Sequence, residues 1–182
     1  MPYLKVDDET QLRAYEEKDA GALFSLVKSS YEHLRPFLHW VTPDYSPEKA
    51  REFILQNRMA AEERKREGYG VFYQGELVGS VGLVKLDWSS KYAEIGYWIA
   101  KDFEGRGLIT RSCRALIDYA FEQLGMNRVE IRCATENARS RAIPEKLGFQ
   151  LEGVLRQSIW RHERFYDVAI YGVLAEEWRA NK

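Results

Sequence analysis

Apolar positions along the chain change period several times, and each change predicts an element. Leu12-Arg13-Ala14-Tyr15 alternates like a short strand after a polar lead-in. Asp19 then opens a helix whose apolar residues Ala22, Leu23, Leu26, Val27 and Tyr31 recur at helical spacing, until Pro36 stops it. Ser46-Pro47 reads as an N-cap followed by proline at the first helical position, where the missing N–H costs nothing. Ala50, Phe53, Ile54, Asn57 and Ala61 carry that second helix along one face toward Gly68, with Arg64-Lys65-Arg66 as a solvated face complementing the dipole at its end. Between the helices, residues 33–45 hold Phe37, Leu38, Trp40 and Val41, more apolar surface than a solvated linker requires.

From Tyr69 the period becomes two. Residues 69–73, a turn at Gln74-Gly75-Glu76 and residues 77–84 predict a hairpin, and residues 93–100 complete an antiparallel meander. A glycine turn, Phe103-Glu104-Gly105-Arg106-Gly107-Leu108-Ile109-Thr110, leads into a helix over 111–124 with Ala115, Leu116, Tyr119 and Ala120 on one side and Gly125 at its end. Val129, Ile131 and Cys133 alternate as a further strand, and a short helix spans 139–146. Strands 149–160 and 165–174 close the chain, joined by Arg161-His162-Glu163-Arg164. With no repeat or linker, this order predicts one α/β domain over residues 1–182, built on a mixed, mostly antiparallel sheet flanked by helices.

Composition narrows the function. The 182 residues, 45% hydrophobic and 13% aromatic, suffice for one sizeable core. Lys and Arg number 27 against 28 Asp and Glu, so no global basic field points to nucleic acid or an anionic membrane surface. No apolar run approaches the roughly 18 residues of a membrane span, and no basic segment precedes an apolar stretch at the start, so a cytoplasmic location is expected. Cys113 and Cys133 lack metal-binding spacing and read as small buried hydrophobes, while His33, His39 and His162 fall in loops, so no metal site is expected.

The glycine turn is the first feature that carries chemistry. A strand ending near Ala100 runs through Gly105 and Gly107 into a helix, so backbone N–H groups converge as an anion nest. Glycine lets a phosphate approach closely, and Arg106 and Arg111 can add charge-assisted bonds. Such a turn also occurs for geometry alone. A dinucleotide fingerprint fits poorly, because the third glycine is absent, an antiparallel meander precedes the turn and a hairpin follows.

The segments Ala93-Glu94-Ile95-Gly96-Tyr97-Trp98-Ile99, Glu104-Gly105-Arg106-Gly107, and Asn137-Ala138-Arg139-Ser140 followed by Glu145-Lys146-Leu147-Gly148-Phe149 share the order and spacing of one family. In them the chain resembles the GNAT acetyltransferase superfamily. Through Leu151-Glu152-Gly153-Val154-Leu155-Arg156, residues 167–171 and Glu177-Trp178 it is similar to the Rim-type branch that acetylates ribosomal-protein N-termini. The resemblance implies a GNAT-like sheet with splayed central strands, 94–100 and 129–135, and direct transfer of acetyl from acetyl-CoA to a primary amine. A protein N-terminus is the expected acceptor; a small-molecule amine, or acyl-CoA binding without catalysis, are the alternatives. A homodimer is suggested by the branch alone.

Residue by residue, the resemblance assigns the backbone of Trp98, Ile99 and Ala100 to the pantetheine amides. It assigns Glu104, Gly105, Arg106, Gly107, Leu108, Ile109 and Thr110 to the pyrophosphate, and Asn137 to the pantetheine arm. Glu104 and Ile109 depart from the usual phosphate motif. Backbone donation survives both changes, but the Glu104 side chain has to turn away or pair with a neighbour such as Arg106. Pro144 stands where many members carry the tyrosine that protonates the thiolate, and a proline there also bends the helix. Ser140, the nearest hydroxyl, is the candidate thiolate donor, with helix capping as its other role. Glu94 is the candidate base, or else a structural carboxylate. Cys133 lacks the accompanying histidine of a catalytic nucleophile. Residues 33–45, the second helix and the closing hairpin would border the acceptor groove, where Phe37, Trp40, Tyr45 and Trp160 line an apolar channel or belong to the core.

Overall fold

The computed structural model describes residues 1–161 and 163–181, so His162 lies outside the described residues. The strands are β1 (Leu4–Lys5), β2 (Thr10–Ala14), β3 (Glu67–Tyr73), β4 (Glu76–Asp87), β5 (Tyr92–Ile99), β6 (Arg128–Ala134), β7 (Gln150–Arg161) and β8 (Arg164–Leu174). The helices are α1 (Ala20–Ser29), α2 (Tyr31–Leu34), α3 (Pro47–Glu62), α4 (Leu108–Glu122), α5 (Ala138–Lys146) and α6 (Ala175–Ala180). All eight strands join one sheet in the order β1-β2-β3-β4-β5-β6-β8-β7, antiparallel throughout except for the parallel pair β5–β6.

Strand alternation divides the core between the two faces of this sheet. Val71 faces the cluster that α4 completes with Leu108, Cys113, Leu116 and Ile117, whereas its neighbour Phe72 faces the cluster built with Leu23 and Val27 of α1 and Ala50 and Ile54 of α3. Several boundaries differ from the sequence reading. The polar lead-in contributes β1, which pairs Leu4 with Leu12. Asp19 does not cap α1; its carboxylate accepts from Arg13 at 2.7 and 2.9 Å and from the Glu16 N–H at 2.7 Å. The second helix ends at Glu62, Arg64 takes a positive φ of 55°, and its guanidinium lies 3.9 Å over the Trp88 ring instead of extending a solvated helical face. Gly68 therefore belongs to β3. Its carbonyl accepts from the Asn57 side chain at 2.8 Å, and a Cβ there would fall 2.5 Å from Asn57 Oδ1.

The irregularity that shapes the molecule lies between β5 and β6. Their parallel ladder runs from Tyr92 opposite Arg128 to Ile95 opposite Ile131 and stops. Beyond that point β5 keeps only β4, with Ile99 opposite Gly79, and β6 keeps only β8, with Ala134 opposite Val168. The separation starts later than the resemblance implied: Glu94 and residues 129–131 remain in the ladder. A register shift between Leu83 and Lys85 coincides with the divergence, leaving Val84 as an extra residue on β4 opposite the Glu94–Ile95 step. Such a bulge bends and twists the local strands. Gly96 makes room for it, since a Cβ there would lie 2.8 Å from Val84 Cγ1.

Close approach of β4 to β5 above the bulge depends on Gly79, where a Cβ would meet the Trp98 carbonyl oxygen at 2.5 Å and Ile99 Cα at 3.0 Å. Both are backbone atoms and cannot swing aside. Gly79→Ala is expected to cost about 1–3 kcal/mol, read as a lower urea midpoint with an unchanged denaturant slope; an unchanged midpoint would show that the strands part without cost.

Candidate active site

The divergence leaves the facing backbone edges of β5 after Ile95 and β6 after Ile131 without ladder partners among the described residues. Unpaired strand edges are templates for another extended chain bearing amides. Trp98 and Ile99 are the last β5 residues beside this gap, with their backbone groups pointing alternately toward β4 and toward the gap. Ala100 is more committed, because its N–H donates to the Val78 carbonyl at 2.9 Å and its own carbonyl accepts from Phe103 at 3.1 Å.

At the open end of the β5 arm, Gly105 and Gly107 take φ of 74° and 70°. No side chain caps α4, whose first intrahelical bond runs from the Arg111 N–H to the Gly107 carbonyl at 3.0 Å. The N–H groups of Leu108, Ile109 and Thr110 are thus the orphan donors of a 15-residue helix. Leu108 and Ile109 bury their side chains, so both offer only backbone to a ligand. A Cβ at Gly105 would meet nothing within 4 Å, which leaves the approach to these donors open.

The charged side chains around this turn are arranged differently from expectation. Arg106 does not pair with Glu104. It folds back over the Phe103 ring at 5.2 Å and donates to the Asp102 carbonyl at 3.1 Å. Glu104, held in extended backbone before the left-handed Gly105, points the other way and accepts from Arg139 at 2.9 and 3.1 Å. Arg111 donates to Asp7 at 2.8 Å and to the Arg106 carbonyl at 2.9 Å.

On the opposite arm, Asn137 is the cap of α5, its Oδ1 accepting from the Ser140 N–H at 3.1 Å. Ser140 is therefore not the cap, and its hydroxyl is available elsewhere: Oγ donates to the Tyr97 hydroxyl at 3.2 Å. Pro144, inside α5, cannot donate to the Ser140 carbonyl four residues back. That carbonyl instead accepts the Tyr97 hydroxyl at 2.8 Å. Burial pushes Tyr97 well above the ordinary value of 10, with the Ser140 bond opposing, so the phenol stays neutral. Cys133 lies nearby on β6; burial raises its thiol above the ordinary value while a Ser140 hydrogen bond lowers it. Tyr97 is the residue sequence reasoning missed here. Its β5 alternation marks it as inward-facing, but nothing local signals its partner 43 residues away.

Glu94 lies one residue before the end of the β5–β6 ladder, directly opposite Glu130. Its Oε2 is 3.1 Å from the Tyr92 hydroxyl and 3.7 Å from Arg132 Nε, with the side chain 24% exposed. Tyr92 also reaches Glu130 at 3.1 Å. Glu130, 8% exposed, accepts from Arg128 at 2.6 and 2.9 Å and from Arg132 at 2.9 Å. Burial pushes the Glu130 carboxyl up, but the bonds from Arg128, Arg132 and Tyr92 outweigh it and hold it below the ordinary 4.5. Arg128-Val129-Glu130-Ile131-Arg132 places three charges on one face of an otherwise apolar strand, a signal readable in the sequence.

Of the four aromatic residues expected along the acceptor channel, two come together. Trp40 packs against Tyr45, Phe53 and Trp98 with ring centroids at 5.7, 6.3 and 5.9 Å. This mounts the loop on the α1/α3 core and against β5. Trp160 does not join them: it is 59% exposed and its ring lies tilted against Phe165 at 4.6 Å. Phe37 meets the closing hairpin through its carbonyl, which accepts from the Arg161 guanidinium. Among the described residues, no group of three His, Cys, Asp or Glu side chains is placed to hold a metal ion, and no helix is long and apolar enough to cross a membrane.

Residues 10–150 match the family described as an acetyltransferase (GNAT) domain. A Bacillus subtilis protein named "Putative ribosomal N-acetyltransferase YdaF" is 40% identical over 180 residues, covering 98% of each chain. The ribosomal-protein-serine acetyltransferase of Escherichia coli is 28% identical over 168 residues, covering 92% of this chain and 94% of its own. Among solved structures, RimL, a ribosomal L7/L12 alpha-N-protein acetyltransferase in complex with coenzyme A, superposes with a TM-score of 0.91 at 27% identity, covering 95% of this chain and 98% of its own. The microcin C7 self-immunity acetyltransferase MccE, in complex with acetyl-CoA and AMP, gives 0.89 at 28% identity, covering 93% and 94%.

The Glu130 cluster gives a pH dependence of stability. A carboxyl held below its ordinary value when folded contributes stability that is complete above about pH 4.5 and is lost as pH falls through the lower folded value. Urea unfolding is expected to show Glu130→Gln less stable than wild type at neutral pH, with the gap narrowing as the pH drops from about 4.5 toward 3. A gap independent of pH would contradict this role.

Proposed function

Because the chain belongs to the GNAT acetyltransferase family, we propose that it transfers acetyl from acetyl-CoA directly to a primary amine, with the N-terminal amine of a ribosomal protein as acceptor. The observation that carries this reading is the conjunction of an unpaired gap between β5 and β6 with an uncapped glycine turn at the gap's open end. The gap suits an extended arm bearing amides, and the turn suits a pyrophosphate; one ligand with both parts fits both. The acceptor assignment is supported by the names of the similar proteins, which act on ribosomal proteins. A ribosomal acceptor would place the enzyme in the cytoplasm.

When bound, acetyl-CoA supplies an acetyl group activated as a thioester. In this reading Trp98 and Ile99 pair with its pantetheine amides through backbone, as does Ala100 through whichever lone pair Phe103 leaves free. The turn from Glu104 to Thr110, with the N–H groups of Gly105, Arg106, Gly107, Leu108, Ile109 and Thr110, would receive the phosphates. Asn137 shapes the α5 end of the gap by capping it. Glu94, at the apex, takes the proton from the amine, directly or through water; its partial exposure leaves it reachable. Ser140 Oγ, by turning its single hydrogen from the Tyr97 hydroxyl to the sulfur, donates to the departing thiolate, while the Tyr97 hydroxyl keeps its own bond to the Ser140 carbonyl and so holds this residue in place. Trp40 and Tyr45, which pack together, and with them Phe37 and the exposed Trp160, would border the entry for the chain end that carries the amine.

A panel of peptides with free N-terminal amines and of small amines, incubated with acetyl-CoA and read by mass spectrometry, tests the acceptor. Turnover of the peptides is expected; turnover of small amines alone would overturn that assignment, and coenzyme A binding with no transfer to any acceptor would reduce the protein to a binding module. Glu94→Gln is expected to lower kcat about 100-fold or more while leaving coenzyme A affinity within about twofold. Gly107→Val, which forces a β-branched residue to a φ of 70°, is expected to weaken coenzyme A binding about tenfold or more. Equal rates for Glu94→Gln and wild type across pH would remove the base.

A further inference from the structure

We infer that Glu104 is a positioning residue whose carboxylate ties the start of the acceptor loop to the cofactor turn, so that occupancy of the turn orders residues 35–46. The inference rests on the cofactor reading above. Three segments meet at this one carboxylate. The turn supplies Glu104 itself, immediately before Gly105. The first turn of α5 supplies Arg139, whose Nη1 donates to both carboxylate oxygens, at 2.9 and 3.1 Å. The short helix α2 supplies His33, whose Nε2 lies 3.4 Å from Oε1 with only 18% of its side chain exposed.

Each contact has a consequence for the site. Arg139 adjoins Ser140 and follows from the β6 arm, so the Glu104–Arg139 pair spans the open end of the gap from one arm to the other. His33 lies at the end of α2, and the chain passes directly from Leu34 into the loop that carries Phe37, Trp40 and Tyr45. A second contact of the same length joins the same two regions: the buried Ser30 Oγ accepts from the Lys101 N–H at 3.4 Å. The backbone bonds of the loop are all local, with Phe37 and Leu38 donating to Leu34, Val41 to Leu38 and Tyr45 to Thr42, so its attachment to the rest of the fold rests on side chains such as Trp40 and Val41.

Exposed ion pairs contribute roughly 0–1 kcal/mol each, so this cluster is a weak stability device. Its value lies in connection. A phosphate held by the N–H groups after Glu104 fixes the adjoining backbone, and the carboxylate transmits that restraint to His33 and from there to the loop. Glu104 departs from the usual motif on the same ground: its carboxylate oxygens face Arg139 and His33 at once. The Arg139 cation in turn offsets a carboxylate that would otherwise repel the phosphates.

Hydrogen exchange read by mass spectrometry, with coenzyme A itself as the probe, tests this without any acceptor. In wild type, saturating coenzyme A is expected to slow exchange about threefold to tenfold at residues 105–111 and also at 35–46. In Glu104→Gln, and separately in His33→Gln, slowing at 105–111 should persist while exchange at 35–46 returns to within about twofold of the ligand-free rate. Exchange in the β3–β4 hairpin serves as the control that each variant is folded. Loop protection in both variants equal to wild type, or a wild type in which the turn is protected and the loop is not, would overturn the inference. If coenzyme A protects neither region of the wild type, the cofactor reading itself fails.

Discussion

The structure depends on one broken pairing. β5 and β6 part beyond Ile95 and Ile131, and each keeps only its outer neighbour: β5 stays on β4 as far as Ile99, β6 on β8 as far as Ala134. The Val84 bulge, admitted by the missing side chain of Gly96, turns β5 away at the residue where the ladder ends. Two strand edges are left facing each other with unmatched N–H and C=O groups, which are costly to leave unsatisfied and suited to receive an extended amide chain. The candidate chemistry collects around this gap: Glu94 at its apex, the glycine turn at the end of one arm, and Asn137 and Ser140 at the end of the other.

The two arms are then held apart and aligned by polar contacts that reach across. Tyr97, from β5, satisfies the Ser140 carbonyl that Pro144 leaves without an intrahelical donor. The proline that replaces an expected tyrosine thus creates the acceptor that another tyrosine fills, and the same phenol receives the Ser140 hydroxyl. At the apex, Arg128 and Arg132 keep Glu130 ionised beside Glu94, and Arg128 extends the network to Glu152 on β7.

Much of this was legible in the sequence. The order of elements, the mixed sheet, the glycine turn and the Glu94, Asn137 and Ser140 positions all follow from periodicity, turn residues and a family resemblance carried by three linked segments. The misplaced details have physical reasons. Sequence proximity suggested Arg106 as the partner of Glu104, but the left-handed Gly105 separates them, and the partner lies 35 residues on. Arg64-Lys65-Arg66 resembled a helix terminus until the positive φ of Arg64 ended α3 early. The bulge at Val84 has no sequence signal, because an exposed valine in a strand looks like any other. The contact of Trp160 with Phe165 across its own hairpin is likewise beyond what hydrophobicity alone foretells.

The most direct test of the central claim is a crystal structure of the protein with coenzyme A bound. The pantetheine arm is expected to run between residues 96–99 of β5 and 132–134 of β6, its amides bonded to those edges, with the pyrophosphate on the N–H groups of residues 105–110. A coenzyme bound elsewhere, or strands β5 and β6 closed into a continuous ladder beside it, would contradict the account.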